Sequence, residues 1–504
     1  MLLLKDAGSQ RKNKLTPKAK IIAFYAIAAV FIAIDCFLIA KYQTFAFNLL
    51  PVALIVIAAM FFALDRVLLF SVMCIPFSIP LKEFYPDLGF NIDIPTEPLF
   101  VGIMLIFILK LLIEHKYDRK ILHHPLSIIV MVYILWHLVT VCTSTMPLVS
   151  LKSWLASLWF ILPFFFLGVL LFRNEKNIYR FFFLYMIPFA ALIIFTLVKH
   201  SVYNFDQHIA NGIMNPFFND HTSYGAAIAM FIPFLLGFSL NRVVNWKWRI
   251  VSVILLAIFI TGLIFSYTRA AWISLFGALA MFLILKLKIS NKIVFALIII
   301  GIGGFVLMQD KILIKMEGNK VESSTDFSKH IKSISNITSD ASNLERINRW
   351  NCAIRMFKEK PVFGWGPGTY QFKYAPFQHS DEKTIISTNA GDGGNAHSDY
   401  LGSLAESGLL GMLNYILVCI IIYITGTRTY HRLKDKKMKL IVVSALCGIV
   451  TYIIHGALNN FLDIDKIAVP FWAFAAIIVT IDLFYAKKED EIPAENVVQD
   501  KPEE

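Results

Sequence analysis

Residues 249–287 read RIVSVILLAIFITGLIFSYTRAAWISLFGALAMFLILKL, and this stretch decides the fold class. Two apolar runs, 249–266 and 269–287, flank one short turn, and each run is long enough to cross the hydrocarbon core of a bilayer. Their hydrophobicity is continuous rather than alternating, which favours helices over the strands of a membrane barrel. The stretch therefore predicts a transmembrane helical hairpin with Arg269 at its turn.

The rest of the chain repeats this pattern. Hydrophobic residues make up 57% and charged residues 16% of 504 residues, and the mean hydropathy is +0.64. A soluble domain carries roughly a quarter charged residues, so a cytosolic enzyme, a disordered chain and a fibrous protein are excluded. We expect an all-α polytopic membrane protein with about 12–14 transmembrane helices. The candidate spans are 21–40, 46–63, 66–82, 98–114, 126–144, 151–172, 179–198, 221–239, 249–266, 269–287, 292–308, 401–425, 439–459 and 466–485.

Lysine and arginine are concentrated in alternate connections, which predicts that both termini are cytoplasmic. The predicted inner segments contain Lys5, Arg11, Lys12, Lys14, Lys18, Lys20, Lys116, Arg119, Lys120, Arg173, Lys176, Arg180, Arg242, Lys247, Arg249 and the run from Arg428 to Lys439. The short outer connections contain Lys41, Lys82, Lys152, Lys199, Arg269 and Lys466. The net charge of +12 is therefore mostly a topology signal, and the sequence predicts no nucleic-acid partner.

One connection is much longer than the others. The predicted segments are a basic cytoplasmic amino terminus (1–20), transmembrane helices (21–308), a large outer loop (309–400), carboxy-terminal transmembrane helices (401–486) and a disordered cytoplasmic tail (487–504). The second half of the loop predicts a helix from Asn343 to Lys360, which Pro361 ends. A rigid turn, Gly364 to Gly368, follows that helix. Long ordered loops usually have a functional reason.

Motifs of soluble enzymes are absent from the sequence. It contains no GxxxxGK[ST], HExxH or GxSxG motif and no GxGxxG after a strand. The cysteines form no CxxC pair or zinc spacing, and no carboxylate cluster has metal-ligand spacing. We therefore expect no cofactor and no metal, and we expect arginine to neutralise any anionic substrate.

Basic outward residues are the first candidates for a site. Arg269 lies at membrane depth, where arginine usually has an anionic partner, although an interfacial arginine that reaches to water is the alternative. Arg346 and Arg349 are three residues apart, so they share a helix face and could chelate a diphosphate. A solvated charged face is the alternative for this pair.

Histidines supply the remaining candidates. His397 opens the span at 401–425 and can exchange a proton near neutral pH, or it packs at the helix start. His455, Asn459 and Asp463 are four apart and predict one polar stripe that contacts substrate or joins helices. Weaker outward candidates are Asn215, Asn219, Asp220 and His221. A basic outer cleft over lipid suits an amphiphilic anion such as a lipid diphosphate.

Four motifs follow one another in a fixed order along the chain. They are Ser266 to Trp272, the Arg346-to-Trp350 spacing, Pro361 to Tyr370, and His397 to Leu401 continuing through Glu406 to Gly411. Together they resemble the O-antigen ligase and polymerase family, which includes bacterial protein O-oligosaccharyltransferases. The resemblance covers about 221–480, whereas the first 200 residues match only in hydropathy. Many members have Asn after the motif histidine, where this chain has Ser398.

The resemblance implies a fold akin to the C-type glycosyltransferases and metal-independent, inverting glycan transfer. The donor would be linked to undecaprenyl diphosphate and the acceptor would be lipid A-core, a glycan or a protein, at the periplasmic face of the bacterial inner membrane. Carried over by position, Arg269 and Arg346 would bind the diphosphate and His397 would act as base or orient the acceptor. Arg349 competes with Arg346 for the phosphate, although the spacing to Trp350 favours Arg346. The predicted substrate-binding residues are Arg349, Tyr400, His455, Asn459 and Asp463.

Alternative functions remain open at this point. Ligase, repeat-unit polymerase and protein glycosylation cannot be separated by these motifs. A polysaccharide or lipid flippase would also suit fourteen spans, but transporters usually place their sites at the bilayer midplane and show paired halves. A structural or assembly protein would not require the arginine and histidine constellation.

Overall fold

The computed structural model describes residues 17–43, 45–85, 92–115, 117–317, 341–380, 382–383, 387 and 394–486. The helices up to the long outer loop are α1 Pro17–Tyr42, α2 Leu49–Phe62, α3 Leu64–Cys74, α4 Thr96–Glu114, α5 Arg119–Leu122, α6 Pro125–Cys142, α7 Pro147–Ile161, α8 Gly168–Leu171, α9 Glu175–Ser201, α10 Gln207–Ile213, α11 His221–Leu240, α12 Trp246–Ile264, α13 Arg269–Lys286 and α14 Asn291–Glu317.

The remaining helices are α15 Ala341–Glu359, α16 Tyr370–Lys373, α17 Asp399–Arg432, α18 Lys436–His455 and α19 Asp465–Ile481. Short 3₁₀ helices occupy Ala46–Asn48, Ile75–Phe77, Leu81–Glu83 and Ala375–Phe377, and π-helical turns occupy Leu162–Leu167 and Asp482–Ala486. Two short strands, β1 Ile79–Pro80 and β2 Asp93–Ile94, pair antiparallel with Ile79 opposite Ile94.

The all-α membrane class predicted from composition is confirmed. Among the described residues, eleven helices are long and apolar enough to cross a bilayer, and Leu50–Phe62 and Asn291–Gly301 are shorter apolar helices. The long helices are Phe24–Tyr42, Thr96–Glu114, Pro125–Cys142, Pro147–Leu171, Glu175–Ser201, His221–Leu240, Trp246–Ile264, Arg269–Lys286, Asp399–Arg432, Lys436–His455 and Asp465–Ala486.

The predicted span at 66–82 takes a different form. The helix ends at Cys74 after 11 residues, and Ile75–Phe77 and β1 follow it. Pro76 and Pro80 account for this ending, because proline lacks a backbone N–H and clashes with the preceding helical turn. The predicted span at 292–308 lies within α14, whose clearly apolar part is Asn291–Gly301.

The chain forms two compact units, residues 1–67 and 68–504. Helix α19 lies in the core of the second unit, and all of its residues are buried. Helix α11 packs against α12, α13 and α18, and α18 packs against α13 and α19. Stacked phenylalanines fill this centre, with ring centroids 3.7 Å apart between Phe182 and Phe234 and 5.2 Å apart between Phe182 and Phe474.

Candidate active site

Arg269 is the first residue of α13, directly after the turn that leads from α12. The preceding Thr268 donates a hydrogen bond from its hydroxyl to the carbonyl oxygen of His221 at 2.7 Å. Gly225 permits this approach, because a Cβ there would lie 2.6 Å from the Thr268 hydroxyl oxygen. The first turns of α11 and α13 therefore lie side by side, and Arg269 is held at their start.

Arg346 reaches the same environment from the outer loop. It lies in the second turn of α15, and its Nε donates to the carbonyl oxygen of Leu458 at 3.2 Å, in the turn after α18. Burial, the largest cause, and the positive charge of Arg269 together lower the pKa of Arg346 to about 10, and the Asp220 carboxylate opposes the shift. Arg346 therefore lies within electrostatic range of Arg269 and of Asp220 at the start of α11.

His397 is fixed through its backbone. Its N–H donates to Asn395 Oδ1 at 3.0 Å, and its carbonyl oxygen accepts from the indole N–H of Trp350 at 3.2 Å. Its φ of 49° is left-handed, a conformation that residues other than glycine rarely adopt. Ser398 then caps α17 by accepting from the N–H of Leu401. Strained backbone of this kind persists only where neighbouring contacts hold it. Here the contacts of Asn395 and Trp350 hold the backbone from which the imidazole extends.

The surroundings of His397 keep its imidazole neutral. Burial, the largest cause, and the charges of Arg346 and Arg349 together lower the pKa of His397 to about 4, whereas the carboxylates of Glu345 and Asp220 oppose the shift. At neutral pH the ring therefore has a nitrogen that can accept a proton.

Arg349 differs from Arg346 although both lie on α15. Its Nε donates to Glu345 Oε1 at 2.6 Å, and its guanidinium stacks over Tyr374 at 3.9 Å from the ring centroid. The hydroxyl of Tyr370 donates to the carbonyl oxygen of Arg349 at 2.7 Å, and only 4% of Arg349 is exposed. Arg349 thus pairs with Glu345 inside the loop, whereas the charges of Arg269 and Asp220 act on Arg346.

The predicted stripe of His455, Asn459 and Asp463 is only partly formed. Helix α18 ends at His455, so the four-residue spacing no longer places Asp463 on the same face, and Asp463 is exposed. Asn459 Nδ2 lies 3.0 Å from His455 Nε2, and both side chains are buried. Tyr400, another predicted contact, donates its hydroxyl hydrogen to the carbonyl oxygen of Ile453 at 3.0 Å, which joins α17 to α18.

The segment that contains these residues is similar to a known family. Residues 253–416 match the O-antigen ligase family model. The resemblance carried by the sequence motifs is thereby confirmed for this segment, which contains Arg269, Arg346, Arg349 and His397. No curated protein matches the chain. At the level of the family, the match supports glycan transfer by a multi-pass membrane protein.

The glycine-rich motif of the matched segment has a structural role. Gly364, Gly366 and Gly368 all have positive φ, and so does Gly408, where the helical conformation of α17 is interrupted. The N–H of Gly366 donates to the carbonyl oxygen of Glu406 at 2.8 Å, and a Cβ on Gly408 would lie 2.1 Å from the carbonyl oxygen of Val362. The turn therefore docks into the break of α17.

The Glu406 side chain completes this docking. Its Oε2 accepts from the N–H of Gly368 and its Oε1 from the N–H of Tyr370, both at 2.9 Å. Because Tyr370 also holds the backbone of Arg349, the turn fixes α15 relative to α17. The motif thus sets the distance between the arginine-bearing helix and His397.

The start of α17 is also joined to the turn that follows α18. The N–H of Asp399 donates to the carbonyl oxygen of Gly456 at 2.8 Å, and the hydroxyl of Tyr452 donates to Asp399 Oδ2 at 2.5 Å. Arg346 contacts Leu458 two residues further along. The same turn therefore positions both His397 and Arg346.

Two carboxylates act at the site: Asp220, which the sequence gives only as a weaker candidate, and Glu345, which sequence reasoning missed. Asp220 caps α11 and acts electrostatically on Arg346 and His397, and its place before His221-Thr-Ser is a helix-start signal. Glu345 pairs with Arg349 four residues later, a spacing visible in the sequence. Across the part of the chain that the structure describes, no three His, Cys, Asp or Glu side chains gather into a metal-binding group.

Proposed function

We propose that this protein transfers a glycan from an undecaprenyl diphosphate-linked donor to an acceptor, most closely in the manner of an O-antigen ligase. The observation that carries the proposal is the match of residues 253–416 to the O-antigen ligase family model, because this segment contains Arg269, Arg346 and His397. Two guanidiniums held close together repel each other, and an anion with two phosphate groups relieves that repulsion. A diphosphate also carries the leaving-group charge of the reaction.

The helix geometry around the arginines adds to this anion preference. Helices α11, α13 and α17 begin at His221, Arg269 and Asp399, next to the residues described above. Backbone N–H groups at helix starts favour negative charge. Together with the paired guanidiniums, they form an electropositive environment for the diphosphate and for the charge that develops on it during transfer.

In the proposed reaction, His397 accepts the proton of the acceptor nucleophile. As the acceptor oxygen or nitrogen bonds to the anomeric carbon, the bond from that carbon to the diphosphate oxygen breaks, with inversion. The electron pair of the broken bond goes to undecaprenyl diphosphate, where Arg269 and Arg346 stabilise it. The bound diphosphate also offsets the cations that lower the pKa of His397, so the donor strengthens the base.

We place this site at the periplasmic face of the bacterial inner membrane, with both termini in the cytoplasm. The distribution of Lys and Arg along the predicted loops supports this orientation. Charge neutralisation by arginine makes the proposed transfer independent of metal ions. The acceptor is lipid A-core in the ligase reaction, a growing glycan in the polymerase reaction or a protein in O-glycosylation.

Reconstituted transfer tests the proposal. Purified protein in vesicles receives an undecaprenyl diphosphate-linked glycan together with each acceptor class, and the covalent product is identified by mass. His397→Ala should lower kcat by roughly 10²–10⁴-fold, the range of general acid–base catalysis. The matched control is His379→Ala, at an exposed histidine of the same loop, which should transfer normally. Normal transfer by His397→Ala would remove the assigned base, and movement of donor without a covalent product would indicate a flippase.

A further inference from the structure

A second, entirely apolar feature lies on the membrane-embedded part of the protein. It is a groove of about 340 Å³ between the end of α3, the start of α4 and the middle of α9. The residues that line it are Met73, Cys74, Phe77, Pro95, Ile187, Pro188 and Ala191. We call this cavity the α3–α9 groove. No charged side chain lines it, so its occupant is apolar.

The sequence explains why a depression forms here. Helix α3 stops at Cys74, well short of a full membrane crossing, and the chain leaves it through Ile75–Phe77. On α9, Pro188 lacks a backbone N–H, and Ala191 lies on the same face with only a methyl group. Pro188 is 13 residues from the end of α9 at Ser201, which places it roughly 20 Å along the helix. The groove thus lies deep along a membrane-spanning helix.

One short loop connects the groove to the cationic site. At the rim, the ring of Phe77 makes an edge contact with Phe217, 6.1 Å between centroids, and Phe217 also contacts Phe195 of α9. Phe217 lies four residues before His221, whose carbonyl oxygen accepts from Thr268, the residue before Arg269. Four residues of extended chain span at most about 14 Å. A molecule with its charged group at Arg269 therefore reaches the groove after a short apolar stretch.

The loop that carries Phe217 has a lysine on its polar side and aromatic rings toward the groove. The Nζ of Lys199 donates to the carbonyl oxygens of Ile213 and Asn215, at the start of this loop. The Nζ of Lys466 lies 5.5 Å from the ring centroid of Phe218 and pairs with Asp465 at 3.2 Å. Lys199 therefore contributes positive charge where the charged group of an amphiphile would lie.

We propose that the α3–α9 groove binds the isoprenoid chain of the lipid-linked donor, next to the diphosphate held by Arg269 and Arg346. This inference rests on the proposed function, since it assigns the second half of the same substrate. The chain would pass beneath Phe217 and lie along α9 toward Ala191. Occupancy of the groove would align the donor, so that its anomeric carbon faces His397.

A groove-filling variant tests the assignment kinetically. Ala191→Phe places a ring in the groove, and Ala257→Phe is the matched control on the exposed face of α12. The KM for donors with a full-length chain and with only two isoprene units is measured for both. We expect Ala191→Phe to raise the KM of the long-chain donor roughly tenfold, since apolar burial is lost, and to leave that of the short-chain donor unchanged. An unchanged long-chain KM would overturn the proposal.

Photolabelling gives an answer that does not depend on the folding of a variant. A polyprenyl diphosphate with a diazirine in its isoprenoid chain is activated in vesicles that hold the wild-type protein, and the labelled peptides are identified. Labelling of residues 73–77 and 187–191 that excess unlabelled polyprenyl diphosphate prevents, but excess phospholipid does not, supports the groove. Labelling elsewhere, or equal competition by phospholipid, overturns it.

The same labelling of His397→Ala separates the two proposals. Groove labelling in a variant that cannot transfer glycan is expected, because chain binding does not need the base. If instead the wild type shows no transfer but labels the groove, the proposed function fails while the lipid site stands. If transfer is normal and the groove stays unlabelled, the lipid site fails while the proposed function stands.

Discussion

The two ends of α17 differ in how their charges are balanced. At the carboxy-terminal end, Asp482 accepts hydrogen bonds from Arg428 at 2.7 Å, from the hydroxyl of Thr429 at 2.9 Å and from Arg432 at 3.3 Å. His124 lies 3.4 Å from the same carboxylate. The side chain of Asp482 is 2% exposed. A buried carboxylate with several cationic partners holds helix ends together.

Basic residues gather at the amino-terminal end of α17. The charges of Arg346 and Arg349 lower the pKa of His397, whereas the carboxylates of Glu345 and Asp220 oppose that shift. One oxygen of Asp220 already accepts from the N–H of Ser223 and the hydroxyl of Thr222, at 2.7 and 2.6 Å. We propose that the first arrangement stabilises the fold, whereas the second receives an anionic substrate.

Removal of Arg346 should have the largest effect on transfer. We expect Arg346→Ala to lower kcat/KM roughly 10³-fold, the scale of losing one preorganised donor to a developing anion. Steady-state transfer with the lipid-linked donor measures this. Arg428→Ala, at the balanced end of α17, should keep its kcat/KM and lose thermal stability. Lys358→Ala, exposed on α15, is the control for changes on the same helix. Comparable catalytic losses in Arg346→Ala and Arg428→Ala would contradict the comparison.

Arg269→Lys should have a smaller effect, because positive charge is kept. An ammonium cannot supply the planar fork that grips two phosphate oxygens, so we expect kcat/KM to fall roughly 10–100-fold. Donor titrations at several salt concentrations check that the loss is not only electrostatic. Full activity of Arg269→Lys would show that a simple positive charge suffices at this position.

At the balanced end, loss of the carboxylate should affect stability rather than catalysis. Asp482→Ala leaves Arg428, Arg432 and His124 without their shared acceptor, and we expect the free energy of unfolding to fall by about 3–5 kcal/mol. Thermal unfolding in detergent measures this, with transfer assayed on the folded fraction. The control is Asp118→Asn, since the pair of Asp118 with Arg173 is partly exposed, at 29% and 37%, and should contribute only about 0–1 kcal/mol. Loss of transfer by folded Asp482→Ala would contradict a purely structural role.

The fold could be predicted closely wherever an apolar run was interrupted by clear polar residues. The spans predicted at 221–239 and 269–287 correspond to α11, His221–Leu240, and α13, Arg269–Lys286. Within the run at 66–82, Pro76 and Pro80 already indicate a re-entrant segment instead of a full crossing, and helix α3 ends at Cys74. The predicted stripe of His455, Asn459 and Asp463 requires a helix beyond His455, where α18 ends.

The candidate site was less accessible from sequence. Residue types and motif order select Arg269, Arg346 and His397, but their proximity depends on long-range contacts such as Arg346 with Leu458. The choice between Arg346 and Arg349 was open, although Glu345 four residues before Arg349 is a local signal that separates them. The α3–α9 groove depends on how three helices meet, which no local pattern encodes.

The smallest expected effect concerns Asp220, the carboxylate that caps α11. Asp220→Asn preserves this cap, because Asn accepts the same N–H hydrogen bond, but it removes the negative charge that acts on Arg346. We expect undecaprenyl diphosphate to bind roughly 3–10-fold tighter, in line with the loss of one repulsive charge near the protein surface. Equilibrium binding of the product measures this. Asp206→Asn is the matched control, since Asp206 caps α10 in the same way.

The pH profile of the same variant adds a second readout. Neutral His397 is the proposed base, so kcat/KM should fall as the pH drops through its pKa of about 4. Asp220 raises that pKa, and Asp220→Asn should therefore move the acid limb to lower pH, while Asp206→Asn leaves it in place. Weaker product binding by Asp220→Asn would contradict the idea that Asp220 competes with the diphosphate for the arginines. It would mean instead that this carboxylate holds the two arginines in position for the diphosphate.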